Sequence, residues 1–325
     1  MQREKILTRF LVPIDGSSCS EKSLCFTGTL VAALGRRCQT VTLLNVMAGG
    51  YLSQHLYNID TRAEKLIDSE KFESLRRMHA EKEIMPILEK AESRLQDVGV
   101  KAIVEKLIRD GDPADQIAKL AMERDYSTIV IGRRGIGEFK ELLFGSVTDA
   151  LLHRDLSASI YVVGSKQSHV EPCAPKRILV AVDGSDPSRA ALEEAALLAH
   201  LMKEHLESFV ILTTINIARY AEHVEMGLKP EAEAASILSD AEDVTVEYGV
   251  DPNKIEMITK CGRPVDAVCN EAKDRDIDLV FVGRNGRSRL QELVLGSVSR
   301  GILHRCEGPI VAVIGRKAEH LTDTD

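Results

Sequence analysis

The sequence has few aromatic residues and no tryptophan. Of its 325 residues 4% are aromatic, and the formal net charge is -8. Proteins that bind nucleic acid need cations for the phosphates and, for single strands, aromatic faces on which bases stack. The composition therefore predicts no nucleic-acid partner.

Long apolar runs are also absent. No stretch approaches the roughly 18 apolar residues that span a bilayer. The chain begins MQREKILTRFLVPIDGS, and the charges of Arg3, Glu4, Lys5 and Arg9 interrupt any apolar region of a secretory signal. We expect a cytoplasmic protein with no membrane partner.

Motifs of metal sites and of common catalytic sites are missing as well. The sequence has no nucleophile elbow, Walker lysine, HExxH or carboxylate cluster with metal spacing. Its 7 cysteines include no CxxC pair or zinc-like spacing, so we expect reduced thiols that mainly fill space. The sequence thus offers binding groups without an assembled catalytic set and predicts no metal site.

What the chain does contain is an internal duplication. RFLVPIDGSSCSEKSL from Arg9 recurs as RILVAVDGSDPSRAAL from Arg177, and IGRRGIGEFKELLFGSV from Ile131 recurs as VGRNGRSRLQELVLGSV from Val282. The offset falls from 168 at the first pair to 151 at the second, so the first copy is longer by 17 residues, in a divergent segment within 51–83. We predict one domain at 1–166, a linker at 167–175 and a second domain at 176–325.

Each copy alternates short β-branched runs with longer helical patterns. This alternation predicts a parallel sheet with helices on both faces, and runs such as IVIG and LVFVG suit strands covered on both sides. The fold class is therefore α/β, with two tandem doubly wound, Rossmann-like domains of five strands each. In the first copy we expect one long helix from about residue 60 to 98.

A glycine pattern follows the fourth strand of each copy. Its members are Gly132, Gly135, Gly145 and Ser146 in the first copy and Gly283, Gly286, Gly296 and Ser297 in the second. Glycines let backbone N–H groups approach a polyanion, and the Gly-Ser step opens a helix whose N-terminus favours phosphate. Tight turns alone would explain one such pattern, but its full recurrence favours a phosphate site.

An aspartate ends the first strand of each copy, at Asp15 and at Asp183. A carboxylate there can accept hydrogen bonds from ribose hydroxyls, although Asp-Gly-Ser also suits an Asx turn and helix cap. Strands one and four should be neighbours where the strand order reverses, so each aspartate should lie beside a glycine loop.

Basic residues accompany the glycines. Arg133 and Arg134 in the first copy, and Arg284, Arg287 and Arg289 in the second, are candidates for phosphate contacts or are simply solvated. A His-Arg pair ends the last helix of each copy, at His153-Arg154 and at His304-Arg305. Two roles are open for these residues: general-base chemistry, or cations that complement the negative helix C-terminus.

Together, the strand-end aspartate, the G-x2-G-x9-G-S pattern and the five-strand module resemble the universal stress protein superfamily, with its adenine nucleotide alpha hydrolase-like fold. The resemblance covers nearly the whole chain and implies that the second-strand backbone holds adenine while the glycine motif holds phosphates. The implied contacts are Asp15, Val46, Gly132, Gly135, Gly145, Ser146 and Val147, and in the second copy Asp183, Ile215, Gly283, Gly286, Gly296, Ser297 and Val298.

The function so implied is regulatory binding of ATP or AMP during stress, with Mg²⁺ only as a companion of the phosphates. Slow ATP hydrolysis, self-phosphorylation at Ser146 or Ser297, and a scaffold role of the segment 51–85 stay open. The resemblance also implies that Ser159–Val163 and Ile310–Ile314 pair within one chain, with further homodimers left open. Ser159, where the second copy has Pro309, is expected only to shift the start of its strand.

Overall fold

A computed structural model describes residues 5–47, 70–133, 145–164, 174–216, 220, 227, 229–286, 295–306 and 308–316. The elements of the first half are β1 (Arg9–Pro13), α1 (Ser18–Leu34), β2 (Thr40–Met47), α2 (Glu70–His79), α3 (Met85–Asp97), β3 (Ile103–Asp110), α4 (Pro113–Glu123), β4 (Thr128–Gly132), α5 (Ser146–Leu152) and β5 (Ser159–Val163). Those of the second half are β6 (Arg177–Ala181), α6 (Asp186–Leu201), β7 (Ser208–Ile215), α7 (Pro230–Glu247), β8 (Ile255–Cys261), α8 (Pro264–Asp274), β9 (Leu279–Gly283), α9 (Ser297–Arg305) and β10 (Ile310–Ile314). The predicted alternation of strands and helices is confirmed.

The long helix expected from residue 60 to 98 is interrupted where the structure describes it. Helices α2 and α3 are joined by a π-helical turn at Ala80–Ile84, and residues 60–69 lie outside the described part. Pro86 in the first turn of α3 has no N–H, and its ring crowds the carbonyl four residues earlier, so the regular ladder cannot pass through this point. Among the described helices, none is both long enough and apolar enough to cross a membrane.

The ten strands form one sheet in the order β3-β2-β1-β4-β5-β10-β9-β6-β7-β8. Within each half all pairs are parallel, whereas β5 and β10 pair antiparallel with Ala312 opposite Tyr161. This pairing of the two last strands confirms the intramolecular association that the resemblance implied. It also removes two exposed strand edges, which would otherwise offer unpaired backbone groups to other chains.

Helices cover both faces of this sheet, so the doubly wound class is confirmed. One core contains residues of α1, α3, α6 and α7, and the other contains residues of α4, α5, α8 and α9. The four strands nearest the junction of the halves, β4, β5, β9 and β10, are buried along their whole length. The edge strands β3 and β8 are only partly covered.

A buried carboxylate joins the halves beneath β5. Glu194 of α6 accepts hydrogen bonds from Ser159 Oγ at 2.7 Å and from the Tyr161 hydroxyl at 2.8 Å. Arg316 Nε lies 3.4 Å from the same carboxylate. Burial raises the pKa of Glu194, while Arg316 and the donated hydrogen bonds act in the opposite direction. The expectation that Ser159 only shifts the start of β5 is therefore wrong, because its hydroxyl helps to satisfy a buried acid of the other half.

Candidate functional site

In each half the strand order reverses between two neighbouring strands, β1 and β4 or β6 and β9. Gly132 and Gly283 end the fourth strands at this point. A Cβ on Gly132 would lie 2.8 Å from the Cβ of Cys19, and one on Gly283 would lie 2.5 Å from the carbonyl carbon of Pro187. These two glycines are therefore required for close packing of the strand end on the following helix.

The second-half aspartate lies beside its glycine loop, as predicted. Asp183 Oδ1 accepts a hydrogen bond from the Ser185 N–H at 3.0 Å, and Asp183 Oδ2 lies 2.6 Å from the position that a Cβ of Gly286 would occupy. The open alternatives for this aspartate thus coexist, because one oxygen closes an Asx-type turn while the other borders the loop. The cap of helix α6 is Ser185 rather than the aspartate.

The first half repeats the turn. Asp15 Oδ1 accepts from the Ser17 N–H at 2.9 Å, and Ser17 caps helix α1. Gly135, with Arg134, lies outside the described residues, as do Arg287 and Arg289 of the second half. The contact between Asp15 and its glycine loop therefore stays a prediction.

Asp183 and the loop glycines border a cavity of about 220 Å³ in the second half. The predicted residues Asp183, Gly283, Gly286, Gly296, Ser297 and Val298 all line it. Leu212, Val268 and Val282 supply apolar walls, and Thr214 and Asn285 supply polar groups that were not predicted. A mainly apolar cleft with a few converging polar groups is typical of small-molecule sites, although this one is smaller than most.

By the sheet register, Ile215 lies one residue beyond the position of the second half that is equivalent to Val46. Arg9 pairs with Thr40 and Arg177 pairs with Ser208, so Val46 corresponds to Thr214. Thr214 lines the cavity, and Ile215 does not. Side chains alternate between sheet faces, so a shift of one residue moves a position away from the site. The carbonyl of Ile215 accepts a hydrogen bond from the Gly262 N–H at 3.0 Å instead.

Glycine caps the helix that follows each loop. Gly296 precedes α9 with φ -65° and ψ 152°, and Gly145 precedes α5 with φ -70° and ψ 150°. In the described part of the chain, no side chain caps either helix. The N–H groups at Ser297 and Val298 therefore belong to a helix start without a side-chain acceptor, which suits an anion.

A hydroxyl that sequence reasoning missed anchors each of these helices. Thr148 Oγ1 donates to the carbonyl of Gly132 at 2.9 Å, and Ser299 Oγ donates to that of Gly283 at 2.6 Å. The helix start is thereby tied to the end of the fourth strand. The signal was in the sequence, since SVT and SVS both place a hydroxyl two residues after the motif serine.

Asn285 is a further residue that sequence reasoning missed. Its Oδ1 atom is buried and has no hydrogen-bond partner within the described residues, and the side chain borders the cavity. A buried acceptor of this kind costs about 1–3 kcal/mol if it stays unpaired, so it favours a ligand that donates a hydrogen bond. Duplication could not reveal it, because the first copy has Arg134 at the equivalent position.

Arg133 and Arg284, the candidates for phosphate contacts that lie in the described residues, are not solvated and contact the opposite half. Both are buried, with 7% and 5% of their surface exposed. Arg133 donates from Nη2 to the carbonyls of Leu303 and Cys306 at the end of α9, and Arg284 donates from Nη1 to the carbonyl of Arg154 at the end of α5. Each arginine thus complements the negative helix C-terminus of the other half.

One of the two histidines, His153, contacts a carbonyl in the last turn of its own helix, in line with the helix-end role left open for it. His153 Nε2 lies 2.7 Å from Arg300 Nη2, and its Nδ1 lies 2.8 Å from the carbonyl of Asp149. Burial lowers the pKa of His304, which disfavours a cation there. Neither histidine lines the second-half cavity. Within the described residues, no group of three or more metal-ligating side chains occurs.

Two cysteines expected to be thiols are paired. Cys269 of α8 and Cys306, the residue after α9, form a disulfide with a Cα–Cα distance of 5.2 Å. Cys19, Cys25, Cys38 and Cys261 remain thiols, and Cys173 lies outside the described residues. The pairing depends on two helices that meet only in the folded chain, so spacing in the sequence gave no sign of it.

Comparison with known proteins agrees with this architecture. The sequence model of the universal stress protein family matches residues 7–154 and 175–313. Universal stress protein YxiE of Bacillus subtilis is 33% identical over 150 residues, which are 42% of this chain and 97% of that protein. Universal stress protein Slr1230 of Synechocystis is 21% identical over 313 residues, which are 94% of this chain and 99% of that protein.

Among solved structures, a universal stress protein from Archaeoglobus fulgidus superposes with a TM-score of 0.65 at 24% identity, over 96% of this chain and 97% of that one. This likeness shows the shared fold. The family model covers most of both halves, each with the same strand-end aspartate and glycine-capped helix. The chain therefore belongs to the universal stress protein family.

Proposed function

We propose that this chain is a regulatory protein that binds an adenine nucleotide, ATP or AMP, in each half. The observation that carries the proposal is the second-half cavity, where Asp183, the unpaired Oδ1 of Asn285 and the glycine-capped start of α9 converge. A nucleotide carries hydrogen-bond donors and a polyanion within one molecule. The two oxygen acceptors of the cavity complement the donors, and the helix start complements the polyanion.

Each part of the nucleotide has a counterpart in the cavity. The carboxylate of Asp183 suits ribose hydroxyls, which are donors, and the N–H groups at Ser297 and Val298 suit phosphate oxygens. Asn285 Oδ1 suits an amino or hydroxyl donor, and the apolar surfaces of Leu212 and Val268 suit the faces of a base. Gly286 lies so close to Asp183 that any side chain there would displace the carboxylate.

The first half carries the same proposal through its repeated elements. Asp15 follows β1, and Gly145, Ser146 and Val147 open α5 as their counterparts open α9. Val46 is the second-strand position, equivalent to Thr214 by the sheet register. Since Arg134 replaces Asn285, we expect the two sites to differ in affinity.

This set of groups suits nucleotide binding better than nucleotide turnover. We place that binding role in the cytoplasm. Mg²⁺ would enter only with the nucleotide phosphates. Self-phosphorylation is the second candidate, because Ser297 lines the cavity at the end where phosphate is expected. The scaffold hypothesis concerns segment 51–85, of which residues 51–69 lie outside the described part.

The test is nucleotide binding with a matched pair of glycine variants. Calorimetric titration with ATP and with AMP, with and without Mg²⁺, should give two adenine-nucleotide sites per chain. Gly286→Ala places a Cβ 2.6 Å from Asp183 Oδ2 and should abolish one site. Gly308→Ala adds a Cβ that meets no described residue within 4 Å apart from its chain neighbours, so this variant should bind as the parent does. A chain that binds neither nucleotide would refute the proposal, and labelled ATP that marks Ser297 would favour self-phosphorylation.

A further inference from the structure

The Cys269–Cys306 pair is specific to the second half. The position equivalent to Cys269 is Ala118, and the segment equivalent to Cys306 is Asp155-Leu156, so the first half cannot form this bond. Because both halves share the fold without sharing the pair, the disulfide is not needed to hold this architecture together.

The pair lies on the wall of a second, polar cavity. This cavity measures about 700 Å³ and is lined by Cys269, Cys306, Arg177, Lys273 and Arg305, among others. Cys306 is 3% exposed, and Cys269 is partly exposed. Two carboxylates, Asp276 and Asp278, line it as well, and Arg305 pairs with Asp266. The cavity therefore offers a route by which a small polar solute can reach the Cys269 sulfur.

We propose that Cys269 and Cys306 form a reversible redox site that exchanges with a small polar thiol and its disulfide. For reduction, the thiolate of the small thiol attacks the Cys269 sulfur. The Cys269–Cys306 bond breaks, and Cys306 leaves as a thiolate that takes up a proton. A second thiolate attacks the external sulfur of the mixed disulfide, releasing the small disulfide and Cys269 as a thiol. In sum, one protein disulfide and two small thiols give two protein thiols and one small disulfide.

The pair joins two neighbouring helices that both line the cavity proposed to bind nucleotide. Helix α8 contributes Pro264 and Val268, and α9 contributes Ser297 to Ser299. The helices pack closely, since a Cβ on Gly301 would lie 2.6 Å from Val265 Cγ2. The carbonyl of Cys306 also accepts from Arg133 of the other half at 3.1 Å. The disulfide thus holds the far end of the helix whose start faces the proposed phosphate site.

The redox state of the pair therefore sets the nucleotide affinity of the second site, an inference that rests on the proposed function. The oxidised form, with α8 and α9 linked, binds nucleotide more tightly because less ordering is left for the ligand to impose. The first site, which has no such pair, does not respond.

The exchange is tested without nucleotide. The tryptic peptide 261–273 contains Cys261 as well as Cys269, because the Arg263-Pro264 bond resists trypsin, so the folded Cys261→Ser chain is used. Oxidised and reduced samples of this chain are each equilibrated in buffers with a series of ratios of glutathione to glutathione disulfide. Both are then quenched with acid and alkylated. We expect the cross-link between peptides 261–273 and 306–316 to titrate reversibly, with unchanged circular dichroism. A bond that is reduced only after unfolding, or that never forms, would overturn the proposal.

The link to the nucleotide site is tested by calorimetry with ATP on the oxidised and reduced chains. We expect reduction to weaken one of two sites by about threefold or more, and Gly286→Ala to remove that same site. Cys269→Ala, which copies Ala118, should behave as the reduced chain in both buffers. Equal affinities in the two states would overturn the redox link and leave nucleotide binding intact. A chain that binds no ATP would instead overturn the proposed function and the link together, while the glutathione titration would still decide the exchange.

Discussion

Replacing Arg133 by methionine removes a guanidinium from the junction of the two halves while keeping most of its apolar stem. Arg133 is 7% exposed and donates to two carbonyls at the end of α9, those of Leu303 and Cys306. Two charge-assisted hydrogen bonds at about 1.5–3 kcal/mol each set a range of about 3–6 kcal/mol. The methionine variant no longer buries a cation, and this gain offsets part of the lost hydrogen-bond energy. We therefore expect the free energy of unfolding to fall by about 2–4 kcal/mol.

Urea unfolding followed by far-ultraviolet circular dichroism measures this loss. Arg124→Met is the matched control, because Arg124 pairs with Glu105 at the surface, with 40% of its side chain exposed, and should cost less than about 1 kcal/mol. If Arg133→Met and Arg124→Met unfold within about 0.5 kcal/mol of each other with equal denaturant slopes, the assignment of Arg133 as a helix-end partner is refuted. Arg284→Met, the reciprocal change, removes the hydrogen bond to the Arg154 carbonyl and should cost less than Arg133→Met.

Three further predictions concern single side chains. Burial raises the pKa of Cys38 to about 12, so iodoacetamide at neutral pH should alkylate exposed Cys261 and spare Cys38 until denaturant is added, as peptide mass spectrometry would show. Burial, reinforced by Glu194, raises the pKa of Tyr161 above 10.0, so its contribution to stability is full below pH 10 and is lost as the pH rises further. Tyr161→Phe should flatten the alkaline fall in unfolding midpoint, and an unchanged fall would contradict this. Ser299→Ala removes the hydrogen bond to the Gly283 carbonyl, so the affinity of the second site for ATP should drop by about tenfold, while the free energy of unfolding should fall by only about 1 kcal/mol. Equal ATP affinity of the variant and the parent in calorimetry would rule out this anchoring role.

Much of the fold could be predicted because local and global signals agree. The central strands β4, β5, β9 and β10 are short runs rich in β-branched residues, and helices α1, α4 and α6 begin at a serine or aspartate cap. The aspartates and glycines of the site could be found because the duplication presents them twice. The π-helical turn could not be found from periodicity, since it adds a residue to one turn without changing which side chains are apolar.

The unpredicted parts of the site depend on register and on contacts between the halves. TTIN at 213–216 carries no pattern that fixes which residue faces the site, and a slip of one residue selected Ile215 instead of Thr214. Asn285 occurs in one copy only, so repetition could not mark it. An arginine next to a phosphate-loop glycine is a reasonable candidate for a phosphate contact, and only the packed halves show that both arginines have carbonyl partners elsewhere.

The same short loop therefore has two tasks in each half. Its glycines border the proposed nucleotide site at the strand end, while the arginine between them reaches across to the end of the other half's last helix. Arg133 contacts the end of α9 and Arg284 the end of α5, so the two contacts are reciprocal and follow from the antiparallel pairing of β5 with β10. Helix α9 is contacted at its C-terminus by Arg133 of the first half and presents its N-terminus to the second-half cavity. We therefore expect a change at Arg133 to alter nucleotide binding at the proposed second-half site.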